Sequence, residues 1–134
     1  MKKELDEKLC KKYPTVFKNR FGDMRQTCMC WGFSCGDGWY DIIERVAAYL
    51  EPLGIVASQV KEKFGSLRFY IESCPEDKWD GVYKVIDKAE EDSAVTCELC
   101  GKPGKINEEG TWLSCRCPEC RVKEQEEWGR HHGR

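Results

Sequence analysis

Along the middle of the first half of the chain, apolar residues recur at helical steps. Trp39, Ile42, Ile43, Val46, Leu50 and Leu53 are spaced three and four apart, which places them on one face of a helix. Asp37 stands where an N-cap belongs. Pro52 and Gly54 end the helix, the first by restricting its predecessor and the second by offering a flexible exit. A shorter amphipathic helix is expected over residues 2–12, stopped at Tyr13-Pro14 because a residue before proline avoids the helical region. The intervening stretch "NRFGDMRQTCMCWGFSCGDG" shows no period and reads as loop.

The period changes in "IVASQVKEKFGSLRFYIE", residues 55–72, where Val60, Phe64, Leu67, Phe69 and Ile71 alternate with polar neighbours. Gly65-Ser66 suits a two-residue type II′ turn. Folding there pairs Phe64 with Leu67, Glu62 with Phe69 and Val60 with Ile71 on one face. Gln59, Lys61, Lys63, Arg68, Tyr70 and Glu72 fall on the other. Glu62 is then the one carboxylate on an apolar face. A third helix is expected from about residue 76 to 94, with Pro75 at its start and Trp79, Val82, Tyr83, Ile86, Ala89 and Ser93 turned inward. The predicted class is α+β: helices packed on a β-hairpin (1–95), a small zinc-ribbon-like module (96–122) and a polar tail (123–134).

A chain of 134 residues has room for one core with a small appendage, and not for two full-sized domains. Its net charge of −2 gives no general attraction to nucleic acid, so any such footprint must be local. No apolar run has the length of a signal peptide or a membrane span, which leads to the expectation of a cytoplasmic protein without membrane contact.

In that setting ten cysteines point to metal ligation and buried thiols more than to disulfides. Cys97-x2-Cys100 and Cys117-x2-Cys120 form two hooks, the spacing of a four-cysteine zinc site. Two residues between ligands let a tight turn aim both sulfurs at one ion, and Gly101 and Gly104 let the backbone wrap closely. Cys115 is the alternative to Cys117, but Cys115 to Cys120 makes a poorer hook. Cys97, Cys100, Cys117 and Cys120 are therefore assigned to one structural Zn2+, whose all-sulfur shell leaves no open position for catalysis.

The motifs "CMCWGFSCGDGWYDII", "VASQVKEKFGSLRFYIE", "CELCGKPG" and "WLSCRCPEC" together resemble a group of small uncharacterised proteins of tailed bacteriophages and prophages. The resemblance covers about residues 13–120. In that group the last motif carries its two ligands at the spacing of Cys117 and Cys120, which supports leaving Cys115 out. No activity comes with the resemblance. It implies a phage setting inside a bacterial host cell, where small proteins act by binding host or phage factors.

Other constellations are weaker. Cys28, Cys30 and Cys35 offer three thiols in eight residues, with Cys10 or Cys74 as a fourth, although Cys-x-Cys is a less usual hook and Trp31 and Phe33 suggest a segment tucked into the core. The "CGDGW" turn could present backbone N–H groups to an anion at a helix start. Catalytic parts are scarce: the only histidines are His131 and His132, in the polar tail, and no carboxylate pair stands out. The function expected is a zinc-stabilised, non-enzymatic binding protein that engages a host or phage protein, such as a defence factor, or a small anionic ligand. Lys61, Lys63, Arg68 and Tyr70 form the leading contact surface. The alternative is a nucleic-acid-binding protein using the zinc ribbon and that same basic face.

Overall fold

The computed structural model describes residues 1–108, 110 and 112–131. Its order is α1 (Lys3–Lys12), β1 (Phe33–Ser34), α2 (Tyr40–Leu50), β2 (Ala57–Lys63), β3 (Ser66–Ile71), α3 (Trp79–Ser93), β4 (Lys105–Ile106), β5 (Cys115–Arg116) and α4 (Pro118–His131), a mixed α+β architecture. The segment expected to form a polar tail is helical as far as His131. His132 lies outside the described residues.

The hairpin forms, but its turn is Phe64-Gly65, one residue before the expected Gly65-Ser66. Both turn residues have positive φ (56° and 89°), as a type I′ turn requires. The register is Lys63–Ser66, Glu62–Leu67, Lys61–Arg68, Val60–Phe69 and Gln59–Tyr70, with Ile71 opposite Ala57 across an irregularity. The expected pairs Phe64–Leu67, Glu62–Phe69 and Val60–Ile71 are thus replaced. Because the partners move by two residues, the side chains that remain paired keep their faces. Two contacts favour this turn: the Glu62 carboxylate accepts the Gly65 N–H at 2.8 Å, and Ile106 packs where a Gly65 Cβ would stand, 3.0 Å away. Phe64 is left 65% exposed and off the core face.

Strand β1, within the stretch read as loop, joins β2 in parallel and makes a three-stranded sheet of order β1-β2-β3. Phe33, Val60 and Phe69 form a row on the inner face. The Phe17 ring meets Phe33 edge-on at 4.9 Å and Phe69 at 6.4 Å. Helices α2 and α3 complete the core with Ile43, Val46, Leu50, Val82, Ile86 and Ala89. Helix α3 also covers the free edge of β3, since Ser93 Oγ accepts the Leu67 N–H at 2.8 Å and Glu90 accepts the Phe69 N–H at 3.3 Å.

Three aromatic placements differ from expectation. Trp79 and Tyr83 lie half-exposed on the flank of α3, edge-on to each other at 6.3 Å, with the Trp79 indole N–H on the Cys74 carbonyl. A ring with a polar edge is accommodated at such a boundary. Trp31 is exposed, while Phe33 is buried as expected.

The long segment before β1 is tied down by charge and backbone. Asp6 on α1 pairs with Arg20 at 3.0 Å, Arg20 donates to the Cys30 carbonyl, and Glu51 accepts the N–H groups of Thr15 and Val16. Asp37 does not cap α2 with its side chain. It lies in a 3-10 turn, Asp37–Trp39, that runs straight into the helix, and its carboxylate accepts the Lys2 N–H at 2.7 Å. Among the described residues no helix is long and apolar enough to cross a membrane.

Candidate metal centre

The backbone between Thr96 and Cys120 folds back so that its two hooks meet. Cys97 N–H donates to Lys102 O at 2.7 Å, and Gly101 N–H returns to Cys97 O at 2.9 Å with φ of 82° at Gly101, closing the first turn. β4 and β5 then pair Lys105 with Arg116 and Ile106 with Cys115. Pro118 opens α4, a position where its missing N–H costs nothing. That helical start lets Cys120 N–H point at Cys117 Sγ, 3.4 Å away.

These turns bring Cys97, Cys100, Cys117 and Cys120 into one group whose sulfurs all lie within 4.8 Å of one another. Cys100 Sγ and Cys117 Sγ are 3.6 Å apart. A tetrahedron with metal–sulfur bonds of about 2.3 Å has sulfur–sulfur edges of roughly 3.8 Å, so the donor set fits a single metal ion. Cys115 takes no part. It is fully buried in the main core and donates its S–H to Ala94 O at 3.3 Å.

The sulfurs are unequal as acids. Burial opposes charge on Cys97, but backbone N–H groups of Cys117, Cys100 and Leu99 outweigh it and bring the thiol down to about 6. Burial and the neighbouring sulfurs push Cys120 up to about 12. Cys97 is therefore ready as thiolate near neutrality, whereas Cys100 and Cys120, both raised, must lose their protons to a cation. Cys97 is depressed from 9.0, so its contribution to stability is present above that value and fades as pH falls through about 6. Metal loading should accordingly release protons, and the gain in melting temperature on loading should shrink between pH 8 and pH 5. Thermal melts with and without chelator across that range check this; a gain independent of pH would contradict thiolate ligation.

The module is seated on the core through contacts that sequence reasoning missed. Gly36 N–H donates to the Glu98 carboxylate at 2.8 Å, Gly38 N–H donates to Glu98 O at 2.7 Å, and the Trp39 indole N–H reaches Thr96 O at 2.9 Å. The "CGDGW" turn thus holds an anion from within the chain, the buried side chain of Glu98. Arg116 completes the arrangement, 3.2 Å from Glu98 and 3.1 Å from Glu124 on α4. The two glycines were the available signal: the fold uses them for close approach of the Cys97 hook.

The remaining cysteines are not gathered. Cys28 is exposed, Cys30 donates to Thr27 O at 3.3 Å, and Cys35 is buried, its thiol pushed up to about 12 by burial and the nearby charge of Glu98. Among the described residues the four-cysteine group is the one cluster of potential ligands.

The outer sheet face carries Ser34, Lys61 and Arg68 in one row, Lys63 beside Ser66, and Tyr70 beside Gln59. Arg68 therefore opposes Lys61 and not Lys63. Its guanidinium is fixed by Ser66 Oγ at 2.7 Å and Leu67 O at 3.1 Å. The Glu72 carboxylate accepts from the Asn19 side chain at 2.6 Å. Lys61, Lys63 and Arg68 take part in none of the ion pairs among the described residues.

No family model matches this chain, and neither a curated protein nor a solved structure matches it.

Proposed function

We propose that the protein is a zinc-stabilised, non-enzymatic binding protein. The observation that carries this is the closed set of four sulfurs seated against the core: four thiolates satisfy a tetrahedral ion completely and leave no position for a reacting water. Zinc is the ion that such a set prefers, one per chain. Its work is to fix the hooks, and through Glu98, Arg116 and Ile106 to fix the hairpin turn and the glycine-rich loop.

The surface we assign to the partner is the outer sheet face with Lys61, Lys63, Arg68 and Tyr70. Like charges directly opposed in a sheet destabilise it slightly, and Lys61 and Arg68 stand opposite each other across β2 and β3. That cost is recovered when an anionic partner supplies the counter-charge. The resemblance to phage proteins adds the setting: a phage-encoded factor acting on a host or phage component in the bacterial cell.

A triple variant, Lys61→Gln with Lys63→Gln and Arg68→Gln, tests the surface. The wild type, despite its net charge of −2, should be retained on phosphocellulose at low salt and released as salt rises. The variant should elute earlier with melting temperature unchanged or slightly raised. Equal retention of both folded proteins would eliminate this face.

A further inference from the structure

Phe64 is the one non-glycine residue with positive φ among the described residues, at 56°. It occupies a turn position suited to asparagine or glycine, where a bulky side chain is disfavoured. The fold obtains no burial in exchange, because the ring is 65% exposed. Trp112, from the far end of the metal module, is 77% exposed. Its backbone is anchored: Asn107 donates its side-chain N–H to Trp112 O at 3.0 Å and accepts the Ser114 N–H at 2.8 Å.

These two rings line the same cleft, of about 310 Å3, with Glu62, Lys63 and Leu113. Lys63 Nζ lies 5.5 Å from the centre of the Phe64 ring. The cleft is at the small end of ligand-sized sites, suited to a flat heterocycle and not to a folded chain. Beside it Lys63 leads onto the outer sheet face, where Lys61 and Arg68 lie across from each other. Exposed aromatic rings next to a short track of cations are the parts used to hold unpaired bases and their phosphates.

We propose that the cleft between Phe64 and Trp112 stacks a base of a single-stranded nucleic acid, whose backbone phosphates run over Lys63, Lys61 and Arg68. This names the class of anionic partner and rests on the sheet-face reading above. The Glu62 carboxylate, fixed by the Gly65 N–H, stands in the cleft as an acceptor for an exocyclic amino group, which favours cytosine, adenine or guanine over uracil or thymine. The chain's overall acidity does not oppose such a footprint, because the three cations are clustered on one face and form no salt bridge among the described residues.

Fluorescence anisotropy with short labelled single-stranded RNA and DNA, the matching duplex and polyglutamate, on the full-length metal-loaded protein, tests the proposal. The single strand should bind more tightly than duplex or polyglutamate and quench tryptophan emission. Its log affinity should fall with log salt at a slope of roughly −2, as three phosphate contacts would give. Phe64→Asn and Trp112→Ala should each weaken binding about tenfold or more. Phe64→Asn should at the same time keep or raise the melting temperature, since asparagine tolerates the left-handed backbone. Single strand bound equally by wild type and both aromatic variants, but lost by the triple glutamine variant, would overturn the stacking site and leave the sheet-face reading standing. Polyglutamate bound in preference to single strand would have the same meaning. Duplex bound as well as single strand also overturns base stacking. Binding of none of the probes by the wild type would overturn both readings.

Discussion

Cys117→Ser should strip the metal from the protein and unfold its C-terminal module. Each hook supplies two sulfurs, and the loss of one leaves an incomplete shell around an ion whose binding is coupled to the order of the chain between Thr96 and Cys120. In small zinc modules that coupling amounts to about 10 kcal/mol or more at neutral pH. The damage should reach the core, because Ile106 packs on the Gly65 turn and Glu98 fills the loop at Gly36 and Gly38. Amide hydrogen exchange should show lost protection from Thr96 onward and partial loss at residues 35–39. Cys115→Ser provides the contrast. Its side chain faces Ala94 O and lies outside the sulfur group, so a serine can make the same donation, with a cost of about 1–2 kcal/mol for a hydroxyl in an apolar site. Metal content should be unchanged. Exchange patterns that are the same in both variants would refute the distinction between the two cysteines.

Gly38→Ala should be nearly as damaging, although the residue touches no metal. A Cβ there would collide with Cys97 O and stand 2.6 Å from Gly101 N and 2.7 Å from Glu98 C, all of them backbone atoms of the first hook. None can swing aside as a flexible side chain would. The hook must back away, breaking the 2.7 Å bond from Gly38 N–H to Glu98 O and straining the turn that aims Cys97 and Cys100. Overpacking of this kind costs about 1–3 kcal/mol, and the lost hydrogen bond adds to it. Urea unfolding should show that loss, and a competing chelator should remove the ion at lower concentration than from wild type. Cys28→Ser, at an exposed thiol outside the group, should match wild type in both assays. An alanine variant as stable and as retentive as wild type would mean that the module does not sit on the glycine loop as described.

Much of the fold was legible because its signals are local. The period of three and four from Trp39 to Leu50 becomes α2, and the alternation around Val60 and Phe69 becomes the hairpin. The paired Cys-x2-Cys hooks come together because their spacing carries the geometry of a tetrahedral ion. What was missed depends on contacts across the chain. β1 is two residues long and leaves no alternation to read; only its pairing with Val60 and Lys61 defines it. The turn at Phe64-Gly65 breaks the local preference for a smaller first residue, and packing of Ile106 on Gly65 and the hold of Glu62 on its N–H favour it. Asp37 has the chemistry of a cap, yet Lys2 claims its carboxylate, which no local pattern reveals. Glu98 and Arg116 sit beside the cysteines with no local pattern to mark them as buried, and their burial follows only from docking the module against Gly36.

The central claim is that one ion, held by Cys97, Cys100, Cys117 and Cys120, organises this protein. Native mass spectrometry with elemental analysis, on full-length protein purified under reducing conditions, tests it most directly. The account predicts one zinc per chain in the wild type and in Cys115→Ser, and none in Cys117→Ser. Metal-free wild type that melts no differently after zinc is added, or an ion that survives Cys117→Ser and is lost in Cys115→Ser, would contradict it.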